Sequence, residues 1–386
     1  MIGLEDRQTM VQHIKTAHTA GARLRPACEI AGISVRTFER WQADGSKQTH
    51  AWRLKMFSRT TFLPRILQIA LSFMAVCFLC LNVATPAQAQ EKRLAYVVSD
   101  VRIPFWDIMK RGIEHRAARL GYKVDVYSAD NDAKREIEVI AKAIKDKVDG
   151  LVISPTNSSA AVTILRLAKT AKIPVVIADI GTDSGDYVSY IASDNFEGSY
   201  QLGKVLVKAL QSRHWDKGSV GIIGIPQKRA NGKARTAGFM KALEETGVKG
   251  GDLRQQVDFS YKETYDFTRE LIAANPELRA LWLQGSDRYQ GALDAIADAG
   301  KKGQILLICF DAEPEFLEMI TKGILAGAGM QQPFLMGEEA VIAMDAHLKG
   351  KPVLQKQILP VLPVSTENIK ELMPVIRRNV LGINVK

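Results

Sequence analysis

Cysteine is scarce in this 386-residue chain: there are four, and three of them, Cys28, Cys77 and Cys80, fall in the first 89 residues. From Gln90 onward only Cys309 remains. That part can form no internal disulfide, and a thiol inside the apolar run Ile305-Leu306-Leu307-Ile308-Cys309-Phe310 reads as core. Histidine is equally thin, and His115, His214 and His347 show no metal-ligand spacing. The chain also lacks G-x-S-x-G, H-E-x-x-H and the phosphate-binding loop, since Gly232-Lys233 is followed by Ala234 with no glycine five residues earlier. No catalytic residue, metal or cofactor is expected.

The formal net charge of +10 is uneven. Of the 52 Lys+Arg and 42 Asp+Glu, residues 1–89 hold 11 and 5, leaving 41 and 37 beyond, a net of +4. The basic balance is thus largely a property of the prefix and argues poorly for nucleic acid as a partner of the main body.

Met56 precedes Arg59 and Arg65, then an apolar run from Ile66 to Ala84 broken by Gln68, Ser72 and Asn82, then Pro86 and the small-residue site Ala87-Gln88-Ala89. Roughly 20 apolar residues can also span a bilayer. The polar interruptions and the cleavage site favour a signal peptide over residues 56–89, cut near Ala89, with a periplasmic product. Cys77 and Cys80 form a CxxC inside the hydrophobic region, where it reads as incidental.

Before this lies a segment, residues 1–55, whose stretch from Arg25 to Trp41 reads as helix, glycine-containing turn and Ser34-capped second helix. Residues 5–42 resemble the start of insertion-sequence transposases, in the elements Ala27-Cys28, Gly32-Ile33-Ser34 and Arg36-Thr37 with Arg40-Trp41. No catalytic core of such an enzyme follows. The expectation is a displaced start or fused fragment upstream of Met56, the alternative being a membrane-tethered or cytoplasmic DNA-binding regulator.

The body of about 297 residues suffices for two lobes. Short apolar runs alternate with helix-period segments, the pattern of an α/β protein whose parallel strands are covered on both faces. Strands are predicted at 94–98, 123–127, 151–153, 175–178, 220–225, 256–259, 280–283, 305–310 and 326–330. Two doubly wound parallel-sheet lobes follow. In open parallel sheets ligands sit beyond the carboxyl ends of strands. There the sequence places Ser99, Asp100, Phe105 and Trp106; Ser154 to Asn157; Asp179; Phe259; Gly285 to Asp287; Asp311; and Gln331 with Gln332. Carboxylates, amides and aromatic faces suit a polyhydroxylated ligand. Other roles stay open: Asp179 and Asp311 could cap turns or helices, Phe259 could be core, and Lys233 and Arg235 could be solvated charges.

The body resembles periplasmic sugar-binding proteins of the ribose-binding type. The resemblance rests on Val97-Val98-Ser99 with Pro104-Phe105-Trp106, Leu151 to Thr156, Ile173-Pro174-Val175-Val176, Ile191 to Asn195, Ala237-Gly238-Phe239, Gly291-Ala292-Leu293 and Phe310-Asp311. It implies a type 1 periplasmic binding fold with a multi-strand hinge, crossing near 193–195, 329–331 and 357–362. The lobes would be 90–193 with 331–357, and 194–330 with 358–386. It further implies a monomer that captures a sugar-like ligand by hinge closure and presents it to an ABC permease or a periplasmic sensor domain. The ligand-binding set it implies is Ser99, Phe105, Trp106, Ser154, Asp179, Lys233, Phe259, Asp311 and Gln331. Departures from ribose binders stand at Ile103, Ser154, Ile180, Lys233 and Gly285, and they put ribose itself in doubt. Asp179 and Asp311 would come from opposite lobes and meet across a ligand, a geometry for binding rather than for glycoside cleavage.

Overall fold

A computed structural model describes residues 4–19, 24–31, 33–43, 91–383 and 385. The signal-peptide segment, 56–89, lies outside the described residues. The chain divides into two units, 1–89 and 90–386.

In the first unit, helices Leu4–Thr19, Leu24–Ile30 and 35–43 gather around buried Val11, Ile14, Cys28 and Phe38. Ser34 Oγ accepts the Thr37 amide at 3.1 Å, so this serine does cap the helix it was expected to cap.

The second unit holds two six-stranded sheets. The first contains β1 (Lys92–Val98), β2 (Tyr122–Ser128), β3 (Gly150–Ser154), β4 (Val175–Ala178), β5 (Ser189–Ser193) and β11 (Lys356–Leu359). Their order is β11-β5-β4-β3-β1-β2, parallel throughout. The second contains β6 (Ser219–Gly224), β7 (Lys249–Gln255), β8 (Leu278–Leu283), β9 (Leu306–Phe310), β10 (Leu325–Met330) and β12 (Leu362–Val364). It runs β12-β10-β9-β8-β6-β7, with β12 antiparallel to its neighbour. Strands β3, β4, β6 and β9 are buried at every residue, as sheets covered on both faces require. Cys309 lies in β9, buried among Leu283, Leu307 and Ala328, the core position read from its apolar run.

The chain passes between the sheets after Ser193, after Met330 and between Leu359 and Leu362. Helix Pro333–Leu348 thereby returns to the first lobe and crosses helix Pro104–Leu120 at near backbone contact. A Cβ on Gly112 would stand 2.1 Å from the Phe334 carbonyl oxygen, and one on Gly337 2.3 Å from that of Met109. Residues 376–383 also lie against the first lobe: Arg111 donates to the Leu381 carbonyl at 3.0 Å, and Arg378 pairs with Glu338 at 2.5 Å.

One predicted strand is misplaced. The segment expected at 256–259 is a loop, and the strand precedes it at Lys249–Gln255, an edge strand of half-exposed polar and glycine residues with no apolar run to reveal it. The loop amides of Val257, Asp258 and Phe259 instead donate to the Glu263 carboxylate at 2.6, 3.2 and 2.9 Å. Strand β5 also escaped the apolar-run criterion.

Candidate functional site

The carboxyl ends of β1, β4, β6, β8, β9 and β10, together with the loop after β7, converge on one cleft between the lobes. About 500 Å³ of empty space, open solvent included, lies between these residues. The first lobe contributes Ile103, Phe105, Trp106, Asp179 and Ile180; the second contributes Arg229, Arg235, Phe259, Arg288, Asp311 and Gln331 among others.

Phe105 and Trp106 open helix Pro104–Leu120, where Pro104 at its first turn sets the backbone. Both rings line the cavity, edge to face with centroids 6.2 Å apart. Asp179 follows β4 with φ 71°, Asp311 follows β9 with φ 71°, and Phe259 has φ 53°. Left-handed backbone is tolerable for aspartate and costly for phenylalanine. Three such residues around one cavity, from both lobes, mark a place where conformation is set by the site and not by local preference.

Burial pushes the Asp179 carboxyl up to about 6, with Arg235 pulling the other way. Asp311 is raised by burial as well; its Oδ1 accepts the Gln331 amide at 2.6 Å, and its Oδ2 stands 3.6 Å from Arg235 Nη1. Arg235 is a strut: its Nε donates to Asn195 Oδ1 at 2.8 Å, its Nη1 to the Gln284 carbonyl at 2.7 Å, and its plane lies 4.0 Å from the Phe310 ring centroid. Phe259 is held between two guanidiniums, Arg229 at 5.3 Å and Arg288 at 4.9 Å from its centroid. Arg288 pairs with Asp287, and Ser286 donates to Glu313, whose carboxyl burial lifts to about 7.

Among the described residues, three buried polar atoms around this cavity have no hydrogen-bond partner, Arg229 Nε, Arg288 Nε and Gln331 Oε1, while the Trp106 indole N–H is directed at the Asp179 carboxylate. Buried polar groups in folded proteins are satisfied in the great majority. Donors and acceptors left open around one cavity describe the complement of a polar, hydroxyl-bearing ligand with apolar faces. Among the described residues no group of three His, Cys, Asp or Glu side chains is placed to hold a metal ion.

Of the nine residues expected to bind, six line the cavity: Phe105, Trp106, Asp179, Phe259, Asp311 and Gln331. Three do not. Ser99 is buried at the end of β1, its hydroxyl 3.3 Å from Asn131 Oδ1. Ser154 is buried under the sheet end against the Tyr96 hydroxyl at 3.0 Å. Lys233 is exposed on helix Ala230–Thr246, because the inward stripe of that helix runs through Asn231, Arg235, Gly238 and Phe239. Arg229 and Arg288 were missed as site residues, and Arg235 was left open between a ligand contact and a solvated charge. The available signal was two polar residues, Asn231 and Arg235, spaced four apart inside the apolar stripe of one helix. The departures Ile103, Ile180 and Gly285 do face the cavity, and Gly285 makes room for Arg288: a Cβ there would lie 2.8 Å from Nη2.

A family profile described as periplasmic binding protein domain matches residues 94–352. The ribose import binding protein of Haemophilus influenzae is 31% identical over 292 residues, covering 75% of this chain and 95% of that protein. A D-apiose import binding protein of Paraburkholderia graminis is 25% identical over 305 residues, 78% of this chain and 95% of its own. Among solved structures, a carbohydrate transporter solute binding protein from Agrobacterium radiobacter in complex with D-arabinose aligns with TM-score 0.70 at 24% identity, over 76% of this chain and all of that one.

Proposed function

The chain belongs to the periplasmic binding proteins, and from that footing we propose that it captures a sugar between its lobes by hinge closure and delivers it to an ABC importer. The observation that carries this reading is a cavity walled by Phe105, Trp106 and Phe259 and lined by the carboxylates of Asp179 and Asp311 with open polar atoms on Arg229, Arg288 and Gln331. Sugar rings present hydroxyls at their edges and C–H surface on their faces, and both halves of that chemistry have a counterpart here. The names of the relatives, ribose and D-apiose import binding proteins, support the same class. Ile103 and Ile180 make one side of the cavity apolar, which favours a ring with fewer hydroxyls or a substituent on that side over ribose.

Asp179 stands on the first lobe and Arg235, Phe259 and Asp311 on the second, so a ligand touching all four is bound fully only in the closed form and shifts the hinge toward it. The closed surface is what an importer, or a periplasmic sensor domain in its place, would read. Catalysis has no place in this reading: Asp179 and Asp311 serve as acceptors for hydroxyls. Export with removal of residues 1–89 is part of the proposal, and amino-terminal sequencing of the mature protein is its test; a start near Gln90 is expected, and retained Met1 would return the helical prefix to consideration as a regulator. Closure is tested by small-angle scattering with D-ribose, D-allose and D-arabinose. At least one sugar should reduce the radius of gyration, and no change with a sugar shown to be bound would remove the hinge mechanism.

A further inference from the structure

We propose that the captured sugar carries an anionic substituent, a phosphate or carboxylate, held at the cleft mouth by Arg229 with Lys228. The inference rests on the sugar-capture reading and adds the charge of the ligand. Arg229 is 6% exposed, yet among the described residues no carboxylate lies within ion-pair distance of it, and its Nε has no partner. The other two cleft arginines are neutralised, Arg288 by Asp287 and Arg235 by Asp311. A buried charge without a counter-ion is costly, so a counter-ion arriving with the ligand would relieve it.

Arg229 also joins two spaces. It lines the inner cavity and, with Phe259, an outer compartment of about 1,110 Å³ of empty space, partly open solvent. The outer lining includes Asn131, Asn157, Lys228 and Gln256 and no carboxylate. Two buried acids act on Arg229 through space without pairing with it: Asp179, which faces the inner cavity, and Glu136, which is turned away, its two oxygens accepting the Thr156 amide at 2.7 Å and hydroxyl at 2.9 Å. A ring seated against Asp179 and Asp311 thus has a cationic, amide-lined space beside it, with no carboxylate in that space to repel an anion.

Charge-assisted hydrogen bonds are about twice as strong as neutral ones. Titration calorimetry of the full chain with D-ribose, D-ribose 5-phosphate, D-galactose, D-galacturonate and inorganic phosphate should show at least one sugar anion binding about tenfold or more tighter than its neutral parent. In Arg229→Gln that preference should fall to about onefold. Phosphate and carboxylate arms distinguish the two anions. A neutral sugar binding as tightly as its anionic counterpart, or a preference that survives in Arg229→Gln, overturns the inference and leaves sugar capture standing. Binding of no sugar of either class overturns both, and binding of inorganic phosphate as tightly as the sugar phosphate reduces the site to an adventitious ion only.

Discussion

The Arg229 guanidinium, carried by the second lobe, donates from Nη2 to Asn131 Oδ1 on the first lobe over 3.2 Å. Asn131 lies at the end of the β2 loop with φ 61°, so replacing it with glycine removes the acceptor without straining the backbone. The bond spans the cleft mouth and forms only when the lobes are together. Asn131→Gly should therefore release a bound sugar about three- to tenfold faster while its association rate changes little. Stopped-flow fluorescence measures both, and an unaltered release rate would mean that this bond does not latch the closed form.

Asp179 couples the site to pH. Its folded pKa of about 6 lies above the ordinary 3.8, because burial disfavours the charged form. Folding therefore favours the protonated carboxyl. The stability it contributes is full below about pH 4 and is lost as pH rises toward 6. Asp179→Asn should stabilise the ligand-free protein at pH 7.5 by on the order of 1–3 kcal/mol and flatten the dependence between pH 4 and 6. Thermal unfolding across that range checks it, and a variant less stable than the parent at pH 7.5 would contradict it.

Phe259 combines an unfavourable backbone with a ring that two arginines grip. Phe259→Ala and Phe259→Gly should both weaken sugar binding by about tenfold or more through loss of the ring. Between the two, glycine should be the more stable by about 1 kcal/mol, since it accepts φ 53° without strain. Equal unfolding temperatures would show that the loop relaxes once the ring is gone.

Glu338 is fully buried on helix Pro333–Leu348, with His115 Nδ1 at 2.9 Å, Arg116 Nη2 at 3.4 Å and Arg378 Nη1 at 2.5 Å. The three partners come from helix Pro104–Leu120 and the carboxy-terminal segment, so the carboxylate fastens both to the hinge side of the first lobe. Its partners are partly exposed, which limits the loss. Glu338→Ala should cost about 2 kcal/mol in denaturant unfolding without altering the sugar preference. A change in preference would place this cluster in the binding mechanism.

The sequence disclosed the β-strands where apolar runs were unbroken and the site where a carboxylate or aromatic ended such a run. Asp179, Asp311 and Gln331 were legible for that reason. The arginines were not, since a cation near a helix start is ordinarily solvated, and only three-dimensional placement shows that Arg235 threads between Asn195 and Gln284 while Lys233 points away. Ser99 and Ser154 end the right strands, but their hydroxyls are taken by Asn131 and Tyr96. Strand β7 was misplaced because an edge strand needs no apolar run. Its residues Gly250 and Gly251 fit by smallness: a Cβ on Gly251 would stand 2.6 Å from the Val220 carbonyl oxygen.

Sugar capture between Asp179 and Asp311 is tested most directly by titration calorimetry of the parent chain, Asp179→Asn and Asp311→Asn against the same panel of neutral and anionic sugars. The account predicts one-site binding of at least one sugar by the parent and its loss, by about thirtyfold or more, in each variant, with the fold retained. Binding that survives in both variants, or no binding by a folded parent, would contradict it.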